Sequence, residues 1–82
     1  LFFHRLFNMD KLPILKQKKI IAALKRAGFE KIGHHGSHLY LRHPETKRTT
    51  SVPVHSKEIS RPFLKVILRE ADISKEKFRK LL

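Results

Sequence analysis

The sequence predicts an α+β domain: three short antiparallel strands flanked by two amphipathic helices that cover one face of the sheet. Three observations carry this expectation. Apolar residues recur at helical spacing near both ends of the chain, at Ile20, Leu24 and Ala27 and again at Leu64, Ile67, Leu68 and Ala71. Between them, alternation at period two over residues 37–43 and 49–55 reads as strands. The punctuation is made of glycines and prolines placed where helices and strands stop.

The first helix is expected over residues 16–27, with Ile21 and Ala23 widening its apolar stripe and Lys16, Lys18, Lys19, Lys25 and Arg26 falling largely elsewhere. Pro13 limits how early it begins, because proline lacks the N–H that a helix interior needs. Gly28 supplies a left-handed residue to end it, and Phe29 packs back on the last turn. Glu30–His34 then reads as a short extended segment, His35–Gly36 as a turn, and Ser37–His43 as a second strand. In that strand Leu39 and Leu41 point to one face, and His38, Tyr40 and Arg42 to the other. Pro44–Arg48 is a turn, followed by a β-branched third strand over Thr49–His55 with Thr50, Val52 and Val54 on one face. Pro53 makes this an edge strand or marks its end, since proline cannot donate to a ladder.

A second helix must cover the sheet. Ser60 is its expected N-cap, Pro62 falls in the first turn where a missing N–H costs nothing, and Phe63, Leu64, Ile67, Leu68 and Ala71 build the apolar stripe. Ser74 caps a short terminal helix in which Ile73 staples onto Phe78.

The 82 residues suit one domain, 9–82, with residues 1–8 expected to be an upstream extension or an expression remnant because Met9 looks like a natural start. Lys and Arg total 19 against 7 Asp and Glu, a net charge of +12, which favours nucleic acid or an acidic partner. The absence of cysteine excludes disulfides, thiol catalysis and Cys-based zinc fingers, and fits a cytoplasmic protein. No apolar run approaches the ~18–20 residues of a membrane span, and no Trp/Phe-rich amphipathic face suggests a membrane surface.

Gly36-Ser37-His38 is the most informative tripeptide. A glycine turn that delivers a histidine to the start of a strand puts an imidazole at the sheet's edge, within reach of a ligand. With an ordinary pKa of ~6.5, imidazole is suited to move protons near pH 7. On a basic surface this points to RNA cleavage, with His38 as base or as acid; the plain alternative is a turn histidine without a role. Gly36 lets the backbone approach a phosphate, or is simply a turn residue with positive φ, and Ser37 can donate to the phosphate. Tyr40 and Arg42 share the His38 face, where a base stacks or a phosphate pairs, unless Tyr40 only fills the strand. His55, at the end of the neighbouring strand, is a candidate partner acid or a surface residue. Lys47 and Arg48, with Lys16, Lys18, Lys19, Lys25, Lys57 and Arg61, form the pool for phosphate contacts. Five histidines fall between His34 and His55, but no ligand spacing with carboxylate support is evident, so neither metal nor cofactor is expected.

Taken in order, Leu24-Lys25-Arg26-Ala27-Gly28-Phe29, Gly36-Ser37-His38, Val52-Pro53-Val54-His55, and Ile67–Ser74 followed by Phe78 and Leu81-Leu82 resemble the HicA (YcfA-like) family, toxins of toxin–antitoxin pairs. The resemblance covers about residues 11–82. It implies a double-stranded-RNA-binding-domain-like α-β-β-β-α fold and an mRNA interferase, an endoribonuclease held inactive by a HicB-like antitoxin. The family's catalytic histidine maps onto His38. Where the family usually has glycine this chain has Asp72, at a helix end that Asp can occupy in the left-handed region at modest cost. The competing reading on the same fold is a non-catalytic double-stranded-RNA-binding module with an incidental His38. A DNA-binding reading would want a recognition helix, and the three strands argue against it.

Overall fold

The computed structural model describes residues 12–55 and 57–82, so the expectation about residues 1–8 lies outside it. In chain order the elements are α1 (Gln17–Arg26), β1 (Glu30–His35), β2 (His38–Arg42), β3 (Thr49–Pro53), α2 (Arg61–Ala71) and α3 (Lys75–Leu81). The strands form one antiparallel sheet in the order β1-β2-β3. This is the expected α+β arrangement, with the small third helix added at the end.

The helix boundaries follow the residues that signal them. At the end of α1 the Phe29 N–H donates to Leu24 O (3.0 Å) and the Gly28 N–H to Lys25 O (3.0 Å), with Gly28 at φ +104°. That double bond pattern satisfies the last carbonyls and folds Phe29 onto Leu24, both of them buried. The same device ends α2: Ile73 N–H donates to Leu68 O (2.9 Å), and Asp72 adopts φ 58°, ψ 44° where a glycine would be at ease. Ser60 and Ser74 cap α2 and α3, their side chains accepting from the N–H groups of Phe63 (3.3 Å) and Lys77 (3.1 Å).

The core lies between the sheet and the helices. Leu39 and Leu41 of β2, Thr50 and Val52 of β3, Ile20, Ala23 and Leu24 of α1, and Leu64, Ile67, Leu68 and Ala71 of α2 are all buried there. Phe78 is fully buried beside Ile73, as the staple requires. Each large apolar side chain removed from water in this way contributes roughly 1.5–3 kcal/mol. Thr50, the one buried polar residue among those described, donates to Glu70 Oε1 at 2.9 Å across to α2. Phe63 departs from the expected stripe and is 37% exposed. On a 100° wheel it falls beyond Ile67, outside the arc of Ile67, Ala71, Leu64 and Leu68, so the helix turns it to solvent.

Two strand ends also differ from expectation. The turn is Gly36-Ser37 rather than His35-Gly36, so β1 keeps His35 and β2 begins at His38. β3 stops at Pro53, an edge-strand end, and His55 lies beyond it. The helices stop short of β1: Lys31 and His34, which pair with the buried Leu41 and Leu39, are themselves exposed. Ile32 is the extra residue where the β1–β2 register shifts, and it is also exposed.

A candidate acid–base site on the open sheet face

The turn builds the site. Two residues, Gly36 and Ser37, join β1 to β2, and Gly36 takes φ +60° while Ser37 stays at negative φ. Positive φ at the first central position alone is the pattern of a type II′ hairpin, whose twist matches the strands and which favours glycine there. A Cβ at Gly36 would meet nothing within 4 Å, so the turn needs this glycine for its backbone and not for space.

Pairing across the sheet then decides which side chains stand together. In antiparallel strands directly opposed residues share a face. The open face therefore carries Glu30, Gly33 and His35 from β1, His38, Tyr40 and Arg42 from β2, and Thr49, Ser51 and Pro53 from β3. Tyr40, 37% exposed, stands between Gly33 and Ser51, so its ring has no large neighbour on either side. Arg42 is exposed at the far end of the row, opposite Glu30.

His38 is half-buried, with buried Pro53 opposite it. Its Nδ1 is shielded from solvent, and among the described residues no group hydrogen-bonds it. His43 makes the contrast. Its Nδ1 accepts from the N–H groups of Glu45 (3.2 Å) and Thr46 (3.3 Å), and its ring meets Phe29 edge-on at 5.4 Å. His43 is a latch for the β2–β3 turn, committed to structure, whereas the His38 ring is spent on no bond within the chain's described part.

The remaining candidates divide between the two ends of β2. Ser37 lies at the His38 end, its carbonyl accepting from the Val54 N–H (2.8 Å), and the Val54 carbonyl in turn accepts from Gln17 Nε2 (3.2 Å). This chain of bonds brings the start of α1 to the site's end of the sheet. There Lys16, Gln17, Lys18 and Lys57 line a cavity of about 430 Å³. His55 is exposed past the end of β3. Lys47 and Arg48 lie at the opposite end of the sheet from His38, beyond the last ladder pair, Arg42 and Thr49. Arg48 is tied to the end of α2, donating to Arg69 O (3.4 Å) and standing 3.8 Å from Asp72 Oδ1. The structure thus brings His38, Ser37, Gly36 and Tyr40 together, leaves Arg42 at the edge, and sets Lys47 and Arg48 apart.

The residue that the sequence reading missed is His35. Placed in the turn from sequence, it is instead the direct cross-strand partner of His38 on the open face, and it is exposed. The signal was present: Gly-Ser is a two-residue hairpin loop, which makes its flanking residues a pair. Among the described residues no three His, Asp or Glu side chains are grouped to hold a metal ion, and no helix is long and apolar enough to cross a membrane.

In a chain of net charge +12, a three-stranded sheet backed by helices on one face and bearing histidines at the hairpin of the other defines a small α+β domain with a double-stranded-RNA-binding-domain-like fold. The chain belongs to the HicA toxin family: the model for the HicA toxin of bacterial toxin–antitoxin pairs matches residues 18–73, more than half of its length. None of the curated proteins matches it. Family membership makes it the toxin member of such a pair and implies an antitoxin partner.

Proposed function

We propose that this chain is an mRNA interferase, an endoribonuclease in which His38 moves the proton at the scissile linkage, and that a HicB-like antitoxin neutralises it in the cytoplasm. The observation that carries the reading is the state of His38. It opens the central strand on the uncovered face, half-buried yet free of the bonds that commit His43, next to the unflanked ring of Tyr40. A histidine so held can accept the 2′-hydroxyl proton as that oxygen attacks the adjacent phosphorus. Tyr40 offers a stacking surface for a base, and Arg42 a charge for a phosphate. The Lys16, Lys18 and Lys57 cavity at the same end lets the RNA backbone continue past the hairpin onto positive charge.

Incubation of the pure chain with single-stranded mRNA tests the reading. His38→Ala should lose ~10²–10⁴-fold in cleavage while RNA affinity changes little, the range that general acid–base catalysis supplies. Growth arrest on expression should vanish with either His38→Ala or the cognate antitoxin, which should present acidic residues to this basic chain. RNA binding without any cleavage by the wild-type chain would put the non-catalytic RNA-binding module first.

A further inference from the structure

We propose that His35 is the second catalytic residue, the general acid to the base His38; this rests on the ribonuclease reading above. The two histidines flank a two-residue hairpin and are direct cross-strand partners on the open face. Opposed residues of an antiparallel pair have Cβ atoms ~4.5–5.5 Å apart, so one phosphodiester can lie against both rings within hydrogen-bond reach.

Within the paired strands no other histidine and no carboxylate stands opposite His38. His34 pairs with Leu39 and so stands on the helix side of the sheet. His55 lies beyond the end of β3. Because β1 is an edge strand, its neighbours on this face come from β2 alone: His38 beside His35, then Tyr40 one pair along, then Arg42. The one acidic residue that the three strands place on the face is Glu30, at the far end opposite Arg42. Between Glu30 and His35 the face carries Gly33, where an added Cβ would meet nothing within 4 Å. That gap beside Tyr40 is a trough for one of the nucleotides that flank the scissile bond.

The division of labour follows from exposure. His38, half-buried against Pro53, removes the 2′-hydroxyl proton. The 2′-oxygen forms its bond to phosphorus, the bond from phosphorus to the 5′-oxygen breaks, and His35 delivers its proton to that departing oxygen. The products are a 2′,3′-cyclic phosphate and a free 5′-hydroxyl. His35, open to water on the edge strand, is reloaded with a proton from solvent, and His38 releases the one it took.

A substrate that needs no acid separates this role from a structural one. On ordinary RNA, His35→Ala and His35→Gln should each lower kcat by ~10²–10³-fold with KM changed only a few-fold, and should lose one limb of the wild-type pH–rate profile. On RNA whose scissile 5′-oxygen is replaced by sulfur, a leaving group that departs without protonation, both His35 variants should recover to within a few-fold of wild type. His38→Ala should stay impaired on both substrates. Wild-type cleavage of ordinary RNA by the His35 variants, or equal impairment on both linkages, overturns the assignment while leaving His38 in place. A wild-type chain that cuts neither substrate overturns this inference together with the ribonuclease reading.

Discussion

Replacing Gly28 with alanine tests the division of the histidines into latch and catalyst. Gly28 sits at φ +104°, and a Cβ there would come within 2.7 Å of His43 Nε2. The left-handed backbone alone costs alanine ~1–2 kcal/mol. The ring cannot simply swing aside, because two N–H groups bond its Nδ1 and the Phe29 edge rests on it. Displacing it forfeits an aromatic pairing worth ~0.5–1.5 kcal/mol and weakens two exposed hydrogen bonds. Alanine's lower entropy in the unfolded chain returns ~0.4–1 kcal/mol. The net loss is about 1–3 kcal/mol, a large share of the ~4–12 kcal/mol that a domain of this size holds. Urea denaturation of Gly28→Ala, His43→Ala and the double variant measures it. The clash disappears once His43 is gone, so the double variant should be more stable than the sum of the singles by ~1 kcal/mol or more. Strict additivity, or a Gly28→Ala loss below ~1 kcal/mol, would refute the latch. Folded samples of either single variant should still cut RNA, since His38 opens β2 and His43 follows its far end.

Gly36→Ala meets no clash, so it should cost ~1–2 kcal/mol from backbone alone, and D-alanine at the same place, introduced by synthesis, should restore the melting temperature. Glu70→Ala leaves the buried Thr50 hydroxyl without its acceptor and should destabilise by ~1–3 kcal/mol, more than Thr50→Val, which removes the donor; the comparison is read by thermal melts. Replacing Lys16, Lys18 and Lys57 together by glutamine should make the log–log salt slope of RNA binding shallower by ~0.7 for each phosphate these lysines neutralise, whereas an unchanged slope would remove the cavity from the RNA path.

What could be read from the chain was local. Ser60, Ser74, Gly28-Phe29 and Asp72 act at helix ends through neighbours within a few residues, and the alternation of Leu39 and Leu41 against His38, Tyr40 and Arg42 sorts β2 correctly. What escaped depended on one residue of register or on distant partners. Moving the turn from His35-Gly36 to Gly36-Ser37 turns His35 from a loop residue into the neighbour of His38. Nothing near Arg48 announces that it braces the end of α2, and nothing near His43 announces that its ring occupies the space a Cβ at residue 28 would need. The lysine cavity joins residues about forty positions apart through the bonds from Gln17 to Val54 and from Val54 to Ser37.

The margin formed by β1 has a consequence for how the molecule breathes. The strand is held by its ladder to β2 while both its faces stay open, and its residues add nothing to the core. Regions that bury little apolar surface open at far lower free energy than the whole domain. Amides of β1 should therefore exchange with solvent well before those of β2 and β3, whose shared ladder is clamped under two helices. Peeling back this one strand would part His35 from His38 and leave the core intact. A fluctuation too small to register as unfolding would then interrupt catalysis, and whatever grips the free edge of β1 would set how often that happens.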